Sequence, residues 1–345
     1  MFRKTRGVLL ACIIILVVLF SACSQMTTGE GEHPKEELLV HFIDVGQGDG
    51  ILIQQGGQNM LIDAGENNRG EDVVTYLRNH GVDQLDYVIG THPHSDHIGG
   101  LDTVIDSFKV GKVLLPRVSH TTKTFEDVLL AIKDSGLKVT TPKVGDEYLL
   151  GDGTWTILAP NSEDYDNLNN YSIIIRLDFH GHSFLFTGDA EVLSEEEMLQ
   201  NSLPLKSDVL KLGHHGSSTS TGDDFLKKVD PRIAIIQVGE DNSYGHPNRE
   251  TLERLDKSGV TIYRNDIHGT ILLVSDGEKI RVESEKEVGE GASTPLEVTY
   301  IGNQNSKVFH LETCGQLPAK HNQVILNSRD EAVERGFTPC SRCNP

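Results

Sequence analysis

The sequence predicts an α/β fold in which two mixed sheets pack face to face with helices outside. Three observations carry this. From Leu38 to about Ser284, short apolar strand-like runs alternate with helical segments, the strand-like runs outnumber the helical ones, and both hairpin and crossover spacings occur between them. An apolar share of 37% with 24% charged residues is ordinary globular composition, so 345 residues hold one large domain or two unequal ones.

The elements follow in order. LLVHFIDV, ILIQQ and MLIDAG are apolar runs broken by the glycine turns GQGDG and GGQN, which makes a strand meander. Residues 69–80 have helical periodicity ending at Gly81, and LDYVIG is a strand running into THPHSDHIGG. Helical DTVIDSF, strand KVLLP, helical FEDVLLAIKDSG and strand LKVTT come next. The second half repeats the style, with WTILAP, YSIIIRLDF, HSFLFTGD, DVLKLGHH, RIAIIQVG, VTIYRN and TILLVS as strands and helices near 191–200, 222–229 and 249–258. The large α/β part is bounded at 38–284, a polar linker at 285–297 and a small module at 298–345.

The first residues carry a basic head (Arg3, Lys4, Arg6), an apolar run from Val8 to Phe20, and Ser21-Ala22-Cys23. This is the layout of a secretory signal, residues 1–23, and the small residues before Cys23 resemble a bacterial lipobox, which makes Cys23 the acylated residue. The apolar run is too short to span a bilayer comfortably, which disfavours an uncleaved anchor. Residues 24–37 lack apolar periodicity and read as a flexible tether. The expected location is the outer face of the cell membrane, held by lipid, or the exterior.

THPHSDHIGG concentrates His92, His94, Asp96 and His97 in six residues. In an extended segment the first two histidines point the same way and can grip one ion. Asp96 and His97 reach a second ion once the chain turns into the helix near Ile98. Asp63 in LIDAG, Asp189 in LFTGDA, His214 and His215 in LKLGHHGSS, and His246 in SYGHPN also stand where an apolar strand breaks into a glycine-containing loop. Loops of one sheet gather at a rim, so these residues can converge. His180 and His182 lie at the other end of their strand, more than about 20 Å away at ~3.3 Å per residue, and read as solvated turn residues.

These motifs, FIDVGQGDGILI, LIDAG, THPHSDHIGG, FLFTGDA, VLKLGHHGS and YGHPN, resemble the metallo-β-lactamase-fold hydrolases over about residues 38–284. Within them they look most like the extracellular hydrolase domain of ComEC-type DNA-uptake proteins. The resemblance implies an αββα sandwich with two divalent ions, zinc or manganese, at one edge. It implies His92 and His94 on the first ion, Asp96 and His97 on the second, Asp189 bridging, His246 as the late histidine ligand of the second site, and Asp63 behind a ligand histidine. The family's mid-chain Gly-His ligand is missing, since that region reads NLNNYS, and one of His214 and His215 takes its place; the other holds a substrate oxygen or protonates the leaving group. Asp96 can orient the attacking water, and Asn170 and Ser172 either line the site or brace its edge.

A net charge of −20 argues against broad attachment to nucleic acid. Screening limits exposed charge to about 8 Å, however, so the local sum at two metal ions matters more and stays positive. Lys206, Lys211, Lys227 and Lys228 near the HHGSS loop can add to it. The first reading is therefore phosphodiester hydrolysis, with DNA as substrate. The others are cleavage of a cell-surface phosphoester such as a choline phosphoester, cleavage of a lactone or amide, and a lipid-anchored binding protein without turnover. Oligomeric state has no sequence signal.

Cysteines 314, 340 and 343 form an odd set beyond Cys12 and Cys23, but His310 completes H-x3-C and C-x2-C pairs, the donor set of one closed structural zinc site. The alternative is a Cys340–Cys343 disulfide with Cys314 free. SRDEAVERGFTPCSRC resembles the zinc module of Ada-type DNA-repair proteins, with His310 standing at that family's first cysteine. Its role stays open between a structural knob, a DNA-holding appendage and an interaction module. Five Lys/Arg against four Asp/Glu over 298–345 make it less acidic than the rest and favour the second.

Overall fold

The computed structural model describes residues 37–240, 242–286, 300–311, 314–326 and 329–343. The signal, Cys23 and nearly all of the tether lie outside the described residues, as does most of the 285–297 linker. Among the described residues no helix is long and apolar enough to cross a membrane.

Strands β1 (Leu38–Phe42), β2 (Gly50–Gln55), β3 (Gln58–Ala64), β4 (Gln84–Ile89), β5 (Lys109–Leu114) and β6 (Val139–Thr140) belong to the first sheet. Strands β7 (Glu147–Leu150), β8 (Gly153–Ala159), β9 (Ile174–Phe179), β10 (His182–Phe186), β11 (Val209–Lys211), β12 (Ile233–Ile236) and β13 (Thr261–Arg264) form the second. β14 (Ile271–Ser275) and β15 (Ile280–Ser284) return to the first, giving an eight-stranded sheet ordered β15-β14-β1-β2-β3-β4-β5-β6 against a seven-stranded sheet ordered β13-β12-β11-β10-β9-β8-β7. Both sheets mix antiparallel and parallel pairs, as the spacing of connections predicts.

Strand alternation explains the layers. Ile51 and Ile53 of β2, Met60 and Ile62 of β3, Leu177 and Phe179 of β9, and Phe184 and Phe186 of β10 face inward and form the core between the sheets with Trp155 and Phe42. Their neighbours Leu52 and Leu61 face out and are covered by helices α1 (Gly70–Asn79), α2 (Ser95–Ile98), α3 (Leu101–Ser107) and α4 (Lys123–Asp134). Leu185 and Leu210 face out on the other side, under α5 (Val192–Gln200), α6 (Asp223–Val229) and α7 (Arg249–Lys257). The result is an αββα sandwich. β7 and β15 were not legible in the sequence. Both are edge strands with only one or no fully buried residue, so their apolar alternation is weak.

The C-terminal residues form a separate four-stranded sheet, ordered β18 (Gln323–Leu326), β16 (Tyr300–Asn303), β17 (Val308–Leu311), β19 (Thr338–Pro339), with a helix at Arg329–Glu334. Among the described residues its apolar core is Tyr300, Phe309, Leu326, Ala332 and Phe337, with Val324 packed against them. A core this small normally needs a disulfide or a metal to hold it.

Glu195 of α5 is buried and accepts the backbone N–H groups of Thr221 and Gly222, which pins the loop that leads from His214 and His215 into α6. Burial, outweighing those two donors, pushes its carboxyl up to about 7. A folded-state value above the unfolded one of about 4.3 means the folded protein holds the extra proton between them. Stability should therefore fall by roughly 3 kcal/mol as pH rises from about 4.5 through about 7. Denaturant unfolding across that window should show the slope in the natural protein and a flattened one in Glu195→Gln; equal slopes refute it.

Candidate metal centre

Parallel neighbours in both sheets build the rim. β3 and β4 run parallel, so Asp63 at the end of β3 and Thr91-His92 after β4 leave the sheet side by side. β10, β11 and β12 run parallel in the other sheet, and Asp189, His214-His215 and Gln237 follow their ends. Asp63, His214 and His215 have φ of 56, 47 and 52°, a left-handed backbone that side-chain-bearing residues avoid and that surrounding structure must enforce. The glycines of GQGDG allow close approach: a Cβ on Gly48 would lie 2.1 Å from the Asp96 carbonyl oxygen, which instead accepts the Asp49 N–H at 3.1 Å.

The imidazoles are oriented from behind. His97 Nδ1 is 2.9 Å from Asp63 Oδ2, and His215 Nδ1 is 2.8 Å from the Gln237 carbonyl oxygen. Thr91 donates its hydroxyl to Asp63 Oδ2 at 2.6 Å and so accepts from His92 Nδ1 at 3.1 Å. His214 Nδ1 lies 3.2 Å from Glu191 Oε1. In all four rings the brace assigns the proton to Nδ1 and leaves the Nε2 lone pair for the rim.

Those Nε2 atoms surround Asp189. Its Oδ1 is 3.2 Å from His97 Nε2, and its Oδ2 is 3.5 Å from His215, 3.8 Å from His92 and 3.9 Å from His214. Asp96 Oδ2 lies 3.3 Å from His215 Nε2 and 3.9 Å from His97 Nε2, while His94 Nδ1 is 3.0 Å from His92 Nε2. Ligand atoms of Asp96, His97, Asp189 and His215 all fall within 4.8 Å of one another, room for one ion between them. His97 Nε2 and Asp189 Oδ1 are buried without a hydrogen-bond partner, which is costly unless a cation takes both lone pairs. The donor set therefore fits divalent metal.

The charges say the same. Burial opposes protonation of His97, yet Asp189, Asp96, Asp49 and Asp63 outweigh it and hold the ring well above the usual histidine range. His215 is likewise pushed up to about 9 against burial, chiefly by Asp189 and by Asp49 and Asp96. Burial opposes ionisation of Asp189, but His215, His97 and His92 hold it well below the carboxylate range. A field that favours imidazolium so strongly favours a metal cation more.

One buried group at the rim had no assigned role in the sequence reading, and a second departs from the role expected of it. Asp49, in the glycine turn, sits 3.5 Å from His215 Nδ1 and 3.8 Å from His97 Nδ1. Lys211 was expected to add free positive charge for substrate. It is instead fully buried, forms an ion pair with Asp49, and donates to the Gly188 carbonyl at 3.0 Å, because it occupies an inward position at the end of β11. The signal available was an acid in a glycine loop at the end of a strand, the same pattern as Asp63. Lys206 is exposed and pairs with Asp230, and Lys227 and Lys228 are exposed on α6.

Other expectations are placed as follows. His246 lies outside the four-residue cluster, its ring centroid 5.3 Å from His214 and 6.4 Å from His215, and His215 occupies the position beside Asp96 and His97. Ser172 Oγ accepts the Asp189 N–H at 3.0 Å, and Asn170 Oδ1 accepts the Glu191 N–H at 3.2 Å, so the NLNNYS segment braces the centre. His180 is exposed, but His182 is buried, contrary to the turn reading. It faces across the sandwich, and its Nδ1 lies 2.7 Å from Ser275 Oγ.

In the C-terminal module, ligand atoms of His310, Cys314, Cys340 and Cys343 fall within 4.8 Å of one another. No disulfide joins Cys340 to Cys343. Backbone N–H groups of Cys343 and Arg342 hold the Cys340 thiol below its usual range, which favours the thiolate a zinc site needs.

The model of the metallo-beta-lactamase superfamily matches residues 43–240, more than half of the chain, and the chain belongs to that superfamily of hydrolases. The model of the metal binding domain of Ada matches residues 295–345. The chain is 31% identical over 280 residues to ComE operon protein 3 of Bacillus subtilis, covering 76% of this chain and 35% of that protein. It is 28% identical over 289 residues to Recombination protein 2 of Haemophilus influenzae, covering 81% and 33%, and 28% identical over 248 residues to Competence protein ComA of Neisseria gonorrhoeae, covering 69% and 32%. The chain thus spans about a third of the length of these relatives, which support the ComEC-type resemblance. The solved metallo-beta-lactamase fold protein YhfI from Bacillus subtilis aligns with a TM-score of 0.47 at 14% identity, over 69% of this chain and 100% of that one.

Removing the Lys211 ammonium leaves Asp49 buried without its cation. Lys211→Met should destabilise the metal-free protein by about 3–5 kcal/mol in denaturant unfolding, the usual cost of breaking one side of a buried pair. A loss under about 1 kcal/mol would show that the pair is not buried as described.

Proposed function

We propose that this chain is an exported, lipid-anchored hydrolase with two divalent ions, zinc or manganese, that cleaves phosphodiesters in DNA. The observation that carries the reading is the convergence of Asp96, His97, Asp189 and His215 with two buried, unpartnered ligand atoms, flanked by His92, His94 and His214. His92, His94, His214 and Asp189 would hold the first ion, and Asp96, His97, His215 and Asp189 the second. Asp63, Asp49, Gln237 and Glu191 would keep the imidazoles in register. His310, Cys314, Cys340 and Cys343 would hold one structural zinc, and Cys23 would carry the lipid.

Bound there, two divalent ions supply a water of lowered pKa and neutralise the charge that grows in an in-line displacement. The chain's own groups do the rest. Asp96 is the most exposed of the four carboxylates, its side chain 23% accessible against 2% or less for Asp49, Asp63 and Asp189, and it is placed to orient the attacking water and take its proton. His214, 26% accessible and braced by Glu191 through Nδ1, faces the opening, so its Nε2 lone pair would hold the first ion at the side from which substrate arrives. The names of the relatives, which refer to competence and recombination, support DNA as the polymer.

A panel of single- and double-stranded DNA, RNA, bis-p-nitrophenyl phosphate, a choline phosphoester and a lactone, with zinc or manganese added, tests the reading. DNA should be cut, and Asp189→Ala should lose at least about 100-fold. Intact DNA beside a cleaved lactone or small phosphoester would refute the nuclease assignment. Fewer than two ions in the catalytic domain would point to a binding protein. Glu191→Gln should cost about 10–100-fold in metal affinity or activity, measured by chelator competition and rate, whereas an unchanged affinity and rate would remove Glu191 from the site.

A further inference from the structure

Beside the metal centre, the loop after β12 carries one aromatic side chain into solvent. Tyr244 is 70% exposed, the most exposed large apolar side chain among the described residues. It is not on a loose segment. Asn242 closes the loop on itself, donating from Nδ2 to the carbonyls of Gly239 at 3.0 Å and His246 at 2.7 Å while its Oδ1 accepts the His246 N–H at 3.0 Å. A ring closed in this way holds its tip without needing Tyr244 to pack inward.

The Tyr244 ring lies nearly parallel to the His246 ring, at 14° with centroids 6.0 Å apart. His246 in turn stands 5.3 Å from His214, whose Nε2 faces Asp189. Tyrosine, His246 and the centre thus form a series, and no atom lies within 4 Å of a Cβ placed on Gly245, so the tip is open. We infer that Tyr244 is a stacking platform for one base of a single-stranded polynucleotide whose neighbouring phosphate lies at the metal centre. The inference rests on the nuclease reading and names its substrate more narrowly. Stacking needs no positive surface, so it holds a polymer where a chain of net charge −20 cannot do so by counterion release. It also needs a free π-face, which a single strand or frayed end offers and an intact duplex does not.

The test uses the metal-loaded full chain and two short DNA single strands of equal length, one normal and one abasic at the nucleotide next to the cleaved bond. For the natural protein, KM should be about 5- to 150-fold lower on the normal strand, the range of one base–aromatic stack. In Tyr244→Ala the ratio should collapse toward one, and in Tyr244→Trp it should persist. A 2-aminopurine at the same position should be quenched on binding to the natural protein and not to Tyr244→Ala. A strand that is cut with the same KM ratio in Tyr244→Ala as in the natural protein overturns the platform and leaves the nuclease standing. No cutting and no quench on any strand overturns both.

Discussion

Concentrated negative charge at one edge of the sandwich sets the terms for everything around it. Asp49, Asp63, Asp96 and Asp189 surround His97, three of them fully buried, and no fold can hold that many carboxylates out of water without cations. Lys211 is one such cation and comes from the opposite sheet. The remaining demand is expressed in rings driven toward imidazolium and in His97 Nε2 and Asp189 Oδ1 left without partners. A divalent ion answers both at once, which ties the stability of the rim to its chemistry.

The sandwich makes this possible by separating tasks. Its interior, filled by Phe42, Trp155, Phe179, Phe184 and Phe186, is apolar and fixes the two sheets against each other. The polar residues sit at or just beyond strand ends, so backbone turns position most of them. The cost is local: left-handed conformations at Asp63, His214 and His215, enforced by neighbours that touch them through hydrogen bonds.

Much of this was readable one residue at a time. The alternation of apolar runs gave both sheets except their edge strands β7 and β15, whose half-exposed positions carry no clear period. The ligand types stood out because His92, His94, Asp96 and His97 are crowded, and because Asp189 and His215 follow strands. The environment of each was not readable. Lys211 has the same letter as Lys206, yet one is fully buried in an ion pair and the other lies at the surface. His182 has the same letter as His180, yet only one faces across the sandwich to Ser275.

The sequence by itself determined the fold class, the donor atoms and the C-terminal set of one histidine and three cysteines, because periodicity and ligand chemistry are local properties. Only the tertiary structure decided which histidine faces which carboxylate: His215 beside Asp96 and Asp189, His214 against Glu191, and His246 one ring farther out beneath Tyr244. Those choices depend on where separate strands end relative to one another across two sheets. A chain read in one dimension does not contain that relation until packing and register set it.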